Sequence, residues 1–94
     1  MDTQWSCAIM TPRDLLAWNV RKLRVKRGLS QERLALEAQL ERVSISQLER
    51  KQVNLGVDSL GKIAAVLECK VFELFVEPKA GEEAPSNLPR GRKP

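Results

Sequence analysis

The sequence predicts an all-α fold, a bundle of five helices, and three observations carry that reading. Leu and Ala are abundant while β-branched runs are absent, which favours helices over strands. Apolar residues recur at steps of three and four, as in Leu16, Val20 and Leu23. Start and stop signals fall between the periodic stretches, at Gly28, Ser30 and Pro78. Ninety-four residues make one domain, and 43% hydrophobic with 30% charged residues suffices for a core. Trp5, Trp18, Phe72 and Phe75 are the only aromatics, so that core must be largely aliphatic.

The elements follow in order. Residues 1–11 show no firm period and read as a loosely ordered arm. Thr11 or Asp14 caps the first helix, with Pro12 near its first turn. It runs to residue 27, where Gly28 stops it in a left-handed conformation. Ser30 caps the second helix, which turns Leu34, Ala35 and Ala38 inward. Arg33 stands where a full capping box needs Glu or Gln. Only Gln39, Leu40 and Glu41 precede a third helix over 42–51, with Ile45 and Leu48 as its core pair. A loop over 52–57 contains Asn54 and Gly56, and a fourth helix over 58–67 buries Leu60, Ile63, Ala64 and Leu67. A fifth, short helix covers 71–76, and Pro78 ends it. The expected organisation is an arm at 1–11, a helical domain at 12–77 and a disordered polar tail at 78–94.

Composition excludes several functions. There is no His, and Cys7 and Cys69 are the only cysteines, which removes most metal sites, Ser–His and Cys–His dyads and any disulfide framework. Without a glycine-rich phosphate loop or paired carboxylates, the chain reads as no enzyme, with no metal or cofactor. Two distant cysteines suit a reducing, cytoplasmic setting, with Cys69 as a small core hydrophobe. No apolar run is long enough for a membrane span, and no signal peptide is visible. Net charge is +4, of which +2 belongs to 78–94. Residues 12–27 hold Arg13, Arg21, Lys22, Arg24, Lys26 and Arg27 against Asp14 alone. That segment fits a polyanion partner and equally an ordinary solvated helix face.

Two short helices joined by about three residues, within an all-helical domain, have the geometry of a DNA-reading helix-turn-helix. The second helix of such a pair fits the major groove, and the first points its N-terminus at a phosphate. The run Gly28-Leu29-Ser30-Gln31-Glu32-Arg33-Leu34-Ala35, then Ile45-Ser46-Gln47-Leu48-Glu49-Arg50, then Asn54 and Leu60, resembles the phage repressor/Cro (Xre-type) family. The likeness extends without a gap over about 16–75.

The resemblance implies a λ-repressor-like fold and assigns roles by position. Arg42, Val43, Ser44 and Gln47 would face base edges, while Gln31, Arg50, Lys51 and Asn54 would hold phosphates. Chemistry agrees: Arg42 suits guanine O6 and N7, Gln47 suits adenine N6 and N7, and Val43 suits a thymine methyl. Gln31 is also a favourable first-turn residue, and Ser44 is equally able to bond within its own helix. The resemblance makes Arg24 and Glu49 a structural ion pair between the first and third helices. Departures from the pattern are Gln39 and Glu68 where Gly is usual, Lys70 in place of a better cap, and Gly61 inside the fourth helix.

Val71, Phe72, Leu74, Phe75 and Val76 make the last helix apolar almost all round, so one side, with Phe72 and Val76, is expected to meet a second subunit. Trp18, on the outer face of the first helix, is expected to pack under the arm near Trp5 or Ile9. The function expected is a sequence-specific DNA-binding regulator, a homodimer on a roughly palindromic operator, resembling restriction–modification controllers and small phage repressors. Whether it activates or represses is left open. The alternative is an antitoxin of the same fold, with a toxin protein as second partner. Arg90, Arg92 and Lys93 are expected to add only non-specific attraction to DNA.

Overall fold

A computed structural model describes residues 10–52 and 54–86. Its element order is α1 (Pro12–Lys26), α2 (Gln31–Ala38), α3 (Arg42–Glu49), α4 (Val57–Leu67) and a 3-10 segment (Val71–Phe75). The fifth helix expected from sequence is therefore a five-residue 3-10 segment, and the domain has four α-helices among the described residues. The cause is length. Five residues are too few to offset the cost of nucleating an α-helix, and the tighter ladder appears in the Glu73 N–H bond to the Lys70 carbonyl at 2.9 Å. Only half of a capping box forms there: the Glu73 carboxylate accepts from the Lys70 N–H at 2.7 Å, while the Lys70 ammonium has no lone pair to give in return.

Helix starts follow local chemistry. At α1 the box is complete, because Thr11 Oγ1 accepts from the Asp14 N–H at 3.1 Å and Asp14 Oδ2 accepts from the Thr11 N–H at 2.9 Å. At α2 Ser30 Oγ accepts from the Arg33 N–H at 2.9 Å, and Arg33 itself turns to Glu37 at 2.7 Å. The four α-helices share one ending. Gly28, Gln39, Lys51 and Glu68 take left-handed backbones, with φ of 73°, 60°, 65° and 59°. The next N–H in each case reaches back five residues, from Leu29 to Arg24, Leu40 to Ala35, Gln52 to Gln47 and Cys69 to Ala64, at 2.8–3.0 Å. This is the Schellman arrangement, and glycine serves it once.

The helices enclose one aliphatic core. Leu16 and Val20 of α1, Leu34, Ala35 and Ala38 of α2, Ile45 and Leu48 of α3, and Ile63, Ala64 and Leu67 of α4 meet there with Leu74. Asn19, also buried, ties the 3-10 segment to α1. Its Nδ2 donates to the carbonyls of Leu74 at 3.1 Å and Val76 at 2.9 Å, and to Leu15 at 2.9 Å. Beyond Val76 the backbone runs along α1, where Glu82 pairs with Lys22 and accepts from the Lys79 N–H at 3.0 Å. Cys69 is half-buried against the core, and burial, with Glu73 nearby, pushes its thiol up and keeps it protonated. Among the described residues no helix is long and apolar enough to cross a membrane.

Candidate nucleic-acid interface

The pair α2 and α3 is built around a turn of Gln39, Leu40 and Glu41. Leu40 packs on the core and pins the turn, while Gln39 supplies the left-handed step that redirects the chain. Each helix has eight residues. On α3 the inward positions Ile45 and Leu48 are fully buried, so the opposite face has no core to serve. That face carries Arg42 and Val43, both exposed, with Ser44 and Gln47 half-buried beside them. Val43 leaves half of its surface in water, unusual for an apolar side chain on a helix with a core face of its own.

The residues expected to hold phosphates occupy the margins of the same surface. Gln31 opens α2 and is half-buried, whereas Arg50, Lys51 and Asn54 follow α3 and are exposed. Arg50 lies back along its helix, donating from Nη1 to Ser46 Oγ at 3.0 Å and from Nε to Gln52 at 3.3 Å. Lys51 Nζ stands 3.4 Å from Asp14 Oδ1, a loose and largely exposed pair.

Behind this surface sits a charged cluster on Glu49, whose side chain is wholly shielded from water. Arg24, equally buried, donates from Nε to Oε2 at 2.7 Å and from Nη2 to Oε1 at 3.0 Å. Its Nη1 donates to the Leu29 carbonyl at 2.7 Å. Oε1 also accepts from Arg21 Nε at 2.9 Å and from Gln31 Nε2 at 3.2 Å. Burial pushes the Glu49 carboxyl up, and the bonds from Arg24 and Arg21, the Arg24 charge and the Gln31 amide together bring it below its ordinary value. Sequence reasoning paired Arg24 with Glu49 and left out Arg21 and Gln31. The available signal was the three-residue step from Arg21 to Arg24, which puts both guanidiniums on one helix face.

Trp18 lines a cavity of about 210 Å³ together with Met10, Arg21, Lys51 and Pro85. Its indole N–H is buried without an acceptor among the described residues. Trp5 and Ile9, the neighbours expected for it, lie outside the described residues, as do Arg90, Arg92 and Lys93.

With that geometry in place, comparison with known proteins is decisive. A helix-turn-helix family model matches residues 20–74, which includes α2, α3 and α4 whole. The chain belongs to the Xre-type helix-turn-helix family. Members of this family are DNA-binding transcription regulators. The Xre-type domain is 39% identical over 67 residues to a hypothetical transcription factor of Neisseria meningitidis, covering 71% of this chain and 63% of that protein. The chain thus spans somewhat under two thirds of that relative's length. It is 41% identical over 62 residues to the control protein C.BamHI of Bacillus amyloliquefaciens, covering 65% of this chain and 76% of that one. Among solved structures, the Neisseria transcription factor NHTF superposes with a TM-score of 0.70 at 39% identity, covering 71% of this chain and 75% of the other. The restriction–modification controller C.AhdI of Aeromonas hydrophila does so with a TM-score of 0.63 at 36% identity, covering 65% and 92%.

Proposed function

We propose that this Xre-type domain is a sequence-specific transcription regulator of the controller kind, acting in the cytoplasm as a homodimer on a roughly palindromic operator. One observation carries the reading: α3 spends Ile45 and Leu48 on the core and turns a coherent face of Arg42, Val43, Ser44 and Gln47 outward. A helix committed only to packing has no use for that combination. Arg42 and Gln47 read base edges by paired hydrogen bonds, and Val43 adds an apolar contact. Gln31, Arg50, Lys51 and Asn54 hold the backbone on either side and set the register of the helix in the groove.

Dimerisation is supported by the apolar surface at the end of the fold. Phe72 leaves 66% and Val76 50% of their surface exposed, although Leu74 between them is fully buried. A two-fold pair of such domains places its recognition helices about one helical turn apart, ~34 Å.

Selection of bound sites from random DNA, followed by titrations on the best site and its base-substituted versions, tests the assignment. Gln47→Ala is expected to weaken the best site by ~1–3 kcal/mol and to relax preference at one or two positions. Lys51→Ala is expected to weaken all sequences alike and to lower the salt slope by about one unit. A Gln47→Ala variant that weakens every sequence equally would overturn the docking.

A further inference from the structure

We propose that Arg21 is a further ligand of the DNA backbone, sharing one phosphate with Gln31, and that Glu49 positions both side chains for it. The proposal rests on the DNA-binding reading above. It begins with a charge imbalance: two guanidiniums converge on one carboxylate. Arg24 satisfies Glu49 alone, through bonds to both oxygens at 2.7 and 3.0 Å, and lies buried with it. The Arg21 charge is therefore surplus to the pair, and its side chain remains 29% exposed. A surplus cation held this firmly at the rim of a protein suits an anion arriving from outside.

Hydrogen-bond geometry gives the anion its place. Arg21 uses Nε on Glu49 Oε1, which leaves the terminal amino groups of the guanidinium for another acceptor. Gln31 uses one amide hydrogen on the same oxygen, which leaves the second. Both donors rest on one atom, so they stand within two hydrogen-bond lengths of each other. Two oxygens of a single phosphate span such a gap. A phosphate offers acceptors only, and Arg21 and Gln31 meet it with donors; the Asp14 carboxylate that lines the neighbouring cavity is itself paired with Lys51 at 3.4 Å. Glu49 touches no ligand itself. Its carboxylate fixes the rotamers of Arg21 and Gln31 before DNA arrives, which lowers the ordering cost of binding.

Full-length wild type, Arg21→Ala, Arg21→Lys, Gln31→Ala and the double Arg21→Ala/Gln31→Ala variant are titrated with the selected operator across salt, and each is melted. Arg21→Ala is expected to lower its melting temperature only slightly, since Arg24 still neutralises Glu49 when the Arg21 bond is lost, and to lower the salt slope by about one unit with base preference unchanged. Arg21→Lys retains the slope. Arg21→Ala costs less affinity in the Gln31→Ala background than in wild type, as two ligands of one phosphate require. An unchanged salt slope in Arg21→Ala, or a large fall in its melting temperature, overturns the proposal and leaves the DNA-binding reading standing. A wild type that selects no DNA overturns that reading instead.

Discussion

At Glu49 two opposing effects act on one carboxyl group. Burial favours the neutral acid, while the bonds from Arg24, Arg21 and Gln31 and the Arg24 charge favour the anion and prevail. The folded value therefore lies below the ordinary 4.5. A depressed folded value contributes stability that is present above the unfolded value and lost as pH falls through the folded one. Wild-type melting temperature should accordingly fall as pH drops below 4.5, whereas Glu49→Gln should be less stable at neutral pH and flatter in that acid window. Melts across a pH series check this. Asp14, lowered chiefly by the Thr11 backbone bond, and Glu82, lowered chiefly by its bond from Lys22, leave a slope of the same sign in the variant. The partner charge is less dispensable than its neighbour. Arg24→Ala is expected to cost ~3–5 kcal/mol in denaturant unfolding, because it opens the buried pair and strands the Leu29 carbonyl.

Helix ends show what local chemistry specifies and what the tertiary fold imposes. Gly28 marks the end of α1 openly, and the caps Thr11 and Ser30 are equally local, so these boundaries are legible in the sequence. Gln39 and Glu68 stand where the family favours Gly, and both adopt the left-handed turn regardless, because α3 and the 3-10 segment must fold back onto the core. Gln39→Gly and Glu68→Gly should each stabilise by about 1 kcal/mol, or several degrees in melting temperature for a domain this small. The exposed Arg27–Glu68 pair lost in the second change offsets little of that. Gly61→Ala should add about 1 kcal/mol, since nothing lies within 4 Å of the new methyl. The left-handed turn at Lys51 was not legible, and the third helix expected over 42–51 stops at Glu49. A good helix former, Lys51 extends the third helix on paper, yet the chain turns there to bring Leu55 and α4 against the core. The outward face of α3 was readable from the Ile45–Leu48 spacing, whereas the meeting of Arg21, Gln31 and Glu49 joins residues 28 and 18 positions apart, and the three-residue step from Arg21 to Arg24 is its one local trace.

For the whole molecule, the exposed Phe72 and Val76 lead to a test of assembly. Phe72→Glu should yield a folded monomer that binds the operator weakly, because Leu74 alone of that segment's centre is needed by the core. Sedimentation of wild type and variant at tens of micromolar checks it, and a variant that remains dimeric would place the interface elsewhere. The same segment has a bearing on the order in which the protein comes into being. Asn19 closes onto the Leu74 carbonyl across 55 positions, and Leu74 is itself a fully buried part of the core. A nascent chain emerging N-terminus first has α3 outside the ribosome well before the residue that seals the core beneath it. Contacts of such long sequence separation form late, after the loop-closure cost has been met. The domain thus packs fully only once Leu74 has been made, so a product interrupted before that residue carries α2 and α3 without the core that supports them.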